Sequence, residues 1–107
     1  MKHCNWTAIT TFGLDTVLTV KGICEEPTPG YKLSLKRVDL QEGDPNALYL
    51  VLRATAPAGI EPQVVTPTPV EYTQAFVVPR QHVPKRVNIL TLIEDESIQV
   101  QPFEPVL

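Results

Sequence analysis

The sequence lacks an apolar run long enough to cross a bilayer, which takes about 20 residues. Its first ten residues, MKHCNWTAIT, also lack the hydrophobic stretch of a signal peptide. We therefore expect no membrane span. A periplasmic or secreted mature domain is slightly favoured over a cytoplasmic protein, and the compartment stays open at this stage.

Signatures of catalysis are also missing. The sequence has no GxSxG nucleophile elbow, no glycine-rich phosphate loop and no HExxH motif. With two histidines and no CxxC or HxxxH pair, it predicts no metal site and no cofactor. Glu25 and Glu26 are adjacent, and neighbours on an extended chain point apart, so we interpret both as solvated acids. The chain is therefore predicted not to be an enzyme.

Clustered positive charge of the kind that binds nucleic acid is absent as well. The net charge is −3, and no stripe of Lys and Arg with interleaved aromatic residues occurs, so no nucleic-acid partner is expected. The cations that do cluster lie in PRQHVPKR, which holds Arg80, His82, Lys85 and Arg86 and no acid. This segment is either a solvated loop or a surface that contacts an acidic partner.

What the sequence does have is proline, with 11 in 107 residues spread along the chain. Each proline removes an amide donor and breaks helix interiors. The segments between them are short runs rich in Val, Ile, Leu, Thr and Tyr. This pattern predicts a single all-β domain over residues 1–107. The predicted strands are 4–11, 16–24, 31–38, 47–55, 70–78, 87–93 and 97–101.

About seven short antiparallel strands at this spacing predict an immunoglobulin-like two-sheet sandwich, with a small β-barrel as the alternative. Strands 47–55 and 87–93 are apolar on both faces and are predicted to be central. The polar turn EDES predicts a hairpin over 87–101. The proline-rich stretch 57–69 either protects a sheet edge from pairing or is an exposed segment that docks a partner.

The two cysteines lie at the ends of the first two predicted strands. If these strands form a hairpin that folds about Leu14, Cys4 lies opposite Cys24 and Trp6 lies opposite Gly22. Opposed residues of an antiparallel pair are about 4.5–5.5 Å apart, which is within disulfide range. The register therefore allows a Cys4–Cys24 disulfide, which would imply an oxidising compartment. Two reduced, packed cysteines are the alternative.

A compact turn, EEPTPGY, joins the second predicted strand to the third. Pro29 and Gly30 suit the centre of a type II turn, because proline fixes a negative φ and glycine accepts a positive one. One interpretation is a rigid corner of the fold. The other is a contact surface for a protein partner, joined by the basic loop if that loop shares the same end. Its residues are Glu26, Pro27, Thr28, Pro29, Gly30 and Tyr31, with Arg80, His82, Lys85 and Arg86.

The order of these segments resembles a known family. In the C-terminal domain of PrcB, a subunit of a bacterial protease complex, a PTGGY turn precedes a strand, a polar turn, a second strand and a proline-rich segment. Here PTPGY, residues 27–31, is followed by KLSLKRV, DLQEGDPNA, LYLVLRATAP and QVVTPTP, so the similarity covers about residues 20–70. The turn is also similar to that of small uncharacterised bacterial β domains. It is more loosely similar to the NPTTGY loop of chagasin-type inhibitors of cysteine proteases, with Glu26 in place of the Asn.

We therefore predict a non-enzymatic protein-interaction domain, which the resemblance implies is protease-associated or part of a bacterial envelope assembly. One alternative is a protease inhibitor that inserts residues 26–31 into a cleft. The other is a structural or oligomerisation module. The partner is expected to be a protein, and its identity and the oligomeric state are not predicted.

Overall fold

A computed structural model describes residues 3–77, 81–91, 95–99 and 101–103, with side chains for 4–77 and 81–91. This part of the chain is all β. Its strands are β1 (His3–Phe12), β2 (Thr16–Glu26), β3 (Lys32–Val38), β4 (Ala47–Thr55), β5 (Thr66–Phe76), β6 (Arg86–Leu90), β7 (Asp95–Gln99) and β8 (Gln101–Phe103). No helix that is long and apolar enough to cross a membrane occurs among these residues.

The strands form two separate four-stranded sheets, in the orders β5-β2-β1-β8 and β3-β4-β6-β7. The predicted all-β, two-layer sandwich is therefore confirmed. Four of the pairings are antiparallel. The pairings of β1 with β8 and of β4 with β6 are parallel, whereas the sequence predicts antiparallel strands throughout.

The alternation of side chains along β2 shows why two layers form. Every second residue of this strand is buried and the residues between them are more exposed. Leu18, Val20 and Cys24 therefore face the second sheet, and Lys21 and Glu25 face solvent. A strand with one apolar face must bury that face against another layer.

The core lies between the inner faces of the two sheets. Each large apolar side chain buried there stabilises the fold by roughly 1.5–3 kcal/mol relative to an exposed one. The buried cluster consists of Ala8, Leu18, Val20 and Phe76 from the first sheet and Leu48, Leu50, Val87 and Ile89 from the second.

The observed strand bounds match the predicted ones most closely in the second sheet. The predicted strand 47–55 coincides with β4, and β6 and β7 form the predicted hairpin. Leu90 pairs with Asp95 and Ile89 pairs with Glu96, so these two acidic residues of EDES belong to β7 and not to a turn. The predicted strand residues 78, 92, 93 and 100 lie outside the described residues.

The hairpin of β1 and β2 has the register that the sequence predicts. Cys4 pairs with Cys24 and Trp6 pairs with Gly22. The two cysteines form a disulfide across the hairpin. The Trp6 ring lies against the glycine, since a Cβ at residue 22 would be 2.3 Å from Cζ3 of Trp6. Only glycine leaves room for the ring at this position.

Candidate interaction site at the proline corner

The corner between β2 and β3 carries the chain from the first sheet to the second. Gly30 has a φ of 90°, and it is the one glycine with a positive φ in the described chain. Side chains with a Cβ are strained in this conformation. The sequence predicts a positive φ at this glycine, and the proline before it fixes the entry to the turn.

The corner packs against the segment that follows β4. A Cβ at Gly30 would lie 2.9 Å from Cβ of Pro57 and 3.6 Å from Oε1 of Glu61. Gly30 therefore lies close to two residues of the segment 56–65, Pro57 and Glu61. We name the two segments together, residues 27–31 and 56–65, the tip.

The tip exposes three β-branched apolar side chains. Ile60 is fully exposed, and more than half of Val64 and Val65 is accessible to solvent. Short local hydrogen bonds hold this part of the tip, since the amide of Val64 donates to the carbonyl of Pro62 at 2.9 Å and Thr66 Oγ1 donates to the carbonyl of Val64 at 2.8 Å. Exposed apolar patches mark protein-interaction sites, so these three side chains, which lie within six residues of one another in the sequence, are the candidate contact residues.

Two of the residues predicted to contact a partner have buried side chains. Glu26 is 3% exposed and Thr28 is 9% exposed. Glu26 is the last residue of β2 and falls on the inner face of that strand. Pro29 and Tyr31 are half-buried, and only Pro27 and Gly30 of the corner are exposed. The corner therefore packs beneath residues 56–65 more than it projects into solvent.

The described part of the basic loop, residues 81–86, lies at the opposite end of the sandwich from the corner. Strand β6 runs parallel to β4, and Arg86 pairs with Ala47 at the start of β4. The corner is next to Thr55, where β4 ends, because Lys32 pairs with Thr55. At roughly 3.3 Å per residue the two ends of β4 are about 26 Å apart. The expectation that the loop could share the corner's end is wrong, and Arg80 lies outside the described residues.

The basic residues at this far end hold a neighbouring loop in place. The guanidinium of Arg86 forms an ion pair with the carboxylate of Asp44. His82 Nε2 lies 2.6 Å from Oδ1 of Asn46, and the amide of Lys85 donates to the carbonyl of Asn46 at 2.8 Å. These contacts join the segment before β6 to the segment before β4, so the exposed basic side chains of Arg86 and His82 already have partners.

The charge of Asp44 is stabilised in the folded state. The amide of Asn46 donates to Asp44 Oδ1 at 2.9 Å. This hydrogen bond is the main cause that lowers the pKa of the Asp44 carboxyl below its usual value, and Arg86 adds to it. A hydrogen bond to the charged form and a nearby opposite charge both favour ionisation.

A small open pocket lies at the same far end. Its volume is about 190 Å³. It is lined by the end of β3, the start of β4 and the loop between them, with Asp39 and Gly43 from the loop and Tyr49 from β4. The hydroxyl of Tyr49 accepts a hydrogen bond from the amide of Asp44 at 2.8 Å. Pockets for drug-sized ligands are larger, at about 300–1,000 Å³, so the candidate site stays at the tip.

Groups that carry chemistry are scattered in the described part of the chain. Both cysteine sulfurs are used in the disulfide, so neither can act as the nucleophile of a Cys–His pair in this state. No three side chains of His, Cys, Asp and Glu come together among the described residues in a way that could hold a metal ion.

Comparison of the chain with protein-family models, with curated proteins and with solved structures finds no match. The resemblances to the PrcB domain and to the chagasin-type inhibitors therefore stay predictions from the sequence.

The sequence alone does not single out Ile60, Val64 and Val65. The stretch 57–69 allows two interpretations, an edge cover and an exposed docking segment. One pattern in this stretch favours the docking segment. Its three β-branched apolar residues occur among prolines and a glycine and do not alternate with polar residues as they would in a half-buried strand.

Proposed function

We propose that this chain is a non-enzymatic protein-interaction domain that binds a partner protein through the tip. The observation that carries this proposal is the exposure of Ile60, Val64 and Val65 on a backbone that packs against the corner. Fully burying such a side chain is favourable by roughly 1.5–3 kcal/mol, and only part of this free energy appears as affinity because association costs conformational and translational entropy.

The proline content of the tip favours binding. Pro27, Pro29, Pro57 and Pro62 each fix one backbone dihedral, so the segment has less conformational freedom to lose when a partner docks. The contact of Gly30 with Pro57 further restricts the two halves of the tip. A pre-organised apolar tip therefore supports tighter binding than a flexible loop of the same composition.

The disulfide supports a particular compartment. Cystine bonds form and persist in oxidising surroundings, and Cys4 and Cys24 are bonded here. We propose that the domain works in the periplasm or outside the cell. The similarity of residues 20–70 to the PrcB domain supports a partner in a protease complex or an envelope assembly.

Protease inhibition by insertion of the corner has less support than partner binding. A loop that enters a cleft must project from the fold, whereas the side chains of Glu26 and Thr28 are buried. Titration of the domain against a panel of cysteine and serine proteases tests this alternative. Inhibition at micromolar concentration that is lost in Pro29→Ala would favour the inhibitor over the proposed function.

Capture of partners by immobilised protein tests the tip directly. The double variant Ile60→Ser, Val64→Ser removes apolar contacts, and Leu14→Ser is a matched control because Leu14 is also fully exposed but lies in the hairpin turn at the other end. We expect wild type and Leu14→Ser to capture the same partner, and the double variant to capture it roughly tenfold less, a loss of about 1.4 kcal/mol. Equal capture by all three proteins would overturn the proposal.

A further inference from the structure

Strand β3 forms an edge of the second sheet. It pairs with β4, and within the described residues it has no second hydrogen-bonded strand, although β5 of the first sheet packs close to it. Its seven residues, KLSLKRV, contain no proline. An edge strand presents a row of unpaired amide and carbonyl groups to which another strand can bind. The edge of the first sheet differs, since β5 contains Pro67 and Pro69, which have no amide to donate.

The outer face of the second sheet is basic at this edge. Lys32, Ser34 and Lys36 share that face and are exposed, and Arg53 on β4 pairs with Ser34 and is also exposed. Diagonal neighbours on such a face are about 7–8 Å apart between Cα atoms, so the three cations form one group. In the part of the chain that the structure describes, none of the three makes an ion pair. Neither β3 nor β4 contains an acid.

We propose that β3 accepts an extended acidic segment of a partner protein as an additional strand of the second sheet. An incoming strand would place alternate side chains beside Lys32 and Lys36, where carboxylates are complementary to the ammonium groups. The side chains between them would lie beside the half-buried Leu33 and Leu35, of which Leu35 packs against the core. Main-chain hydrogen bonds supply affinity in this mode of recognition, and the alternating side chains supply specificity.

The inference rests on the proposed function in one respect, since both require a protein partner. The two surfaces are contiguous, because β3 begins one residue after Tyr31, the last residue of the corner. The two proposals can nevertheless be disproved independently, because a short peptide can pair with β3 without any contact at Ile60. Lysine on an edge strand can also serve only to prevent aggregation, and in that case an acidic peptide does not bind.

The probe is an acetylated and amidated peptide, Glu-Val-Ser-Val-Glu-Val-Thr, titrated into the oxidised domain and followed by amide NMR shifts. We expect the largest shifts at residues 32–38 and weaker binding at high salt, because the ion pairs are exposed. The double variant Lys32→Glu, Lys36→Glu should bind at least tenfold more weakly. Lys21→Glu is the matched control, since Lys21 is an exposed cation on the outer face of the first sheet.

Two further peptides separate strand addition from simple charge attraction. Each carries N-methyl groups on alternate residues, one on the odd positions and one on the even positions. In an added strand only one of these sets faces β3, so we expect one methylated peptide to lose binding and the other to keep it. Equal binding of both, shifts centred outside residues 32–38, an equal loss in Lys21→Glu, or no binding of the parent peptide would each overturn the inference.

Discussion

Glu26 shows how strongly the surroundings of one side chain depend on its position in a strand. Its neighbour Glu25 is exposed, whereas Glu26 is buried. The interpretation of the pair as two solvated acids is therefore wrong for Glu26. Strand β2 ends at Glu26, two residues beyond the predicted end, and the even-numbered residues of this strand face the core.

The contact of Trp6 with Gly22 gives a test at the scale of one residue. In Gly22→Ala the new methyl group would lie 2.3 Å from the Trp6 ring, so the ring must move. We expect a loss of about 1–3 kcal/mol in the free energy of unfolding, as is usual for overpacking. The measurement is urea denaturation followed by tryptophan fluorescence.

Gly59→Ala is the control for this substitution. A Cβ at residue 59 would meet no atom within 4 Å, and the φ of Gly59 is not positive. This variant should therefore be neutral or more stable by up to about 1 kcal/mol. Equal destabilisation by the two variants would contradict the packing of Trp6 on Gly22.

The ionisation of Asp44 gives a second test at this scale. Because the folded-state pKa lies below the usual 3.8, the charged carboxylate contributes stability that is fully present above pH 3.8 and is lost as pH falls through the folded pKa. NMR titration of the Asp44 carboxyl carbon should give a midpoint below 3.8. Arg86→Gln should raise the midpoint only in part, because the Asn46 amide is the larger cause. A wild-type midpoint at or above 3.8 would contradict the contacts of this loop.

At the scale of elements, the disulfide closes the first hairpin. The bond joins residues 20 apart in sequence. A cross-link that closes a loop of about this length stabilises the folded state by about 3 kcal/mol, because it lowers the conformational entropy of the unfolded chain. We expect reductant to lower the urea midpoint of wild type and to leave the Cys4→Ala, Cys24→Ala variant unchanged. The unfolded protein should show titratable thiols only after reduction. Two thiols without reductant would show that the hairpin is not cross-linked.

The first hairpin and β4 were predictable because their signals are local. The register of β1 and β2 follows from the position of one turn, and the paired cysteines and the Trp6–Gly22 contact agree with it. Strand β5 begins at Thr66, four residues before the predicted start, because the proline-rich pattern around Pro67 and Pro69 predicts a loop. An edge strand pairs on one side only, so it tolerates prolines that an inner strand would not.

At the scale of the whole molecule, the arrangement of strands depends on contacts between distant segments. The parallel pairing of β4 with β6 has no local signature in the sequence. This pairing places Arg86 and the corner at opposite ends of the sandwich. The residues of each candidate surface were therefore easier to predict than their relative positions. The corner itself was predictable, since Pro29 and Gly30 specify their turn through their own backbone preferences.

The proposed role of the tip is tested most directly by site-specific photo-crosslinking in cells. A photoreactive phenylalanine analogue replaces Ile60 in one protein and Leu14 in another; both positions are fully exposed and lie at opposite ends of the sandwich. We predict a discrete cross-linked adduct from position 60 and none from position 14. An adduct from position 14 alone, or equal adducts from both positions, would contradict the account.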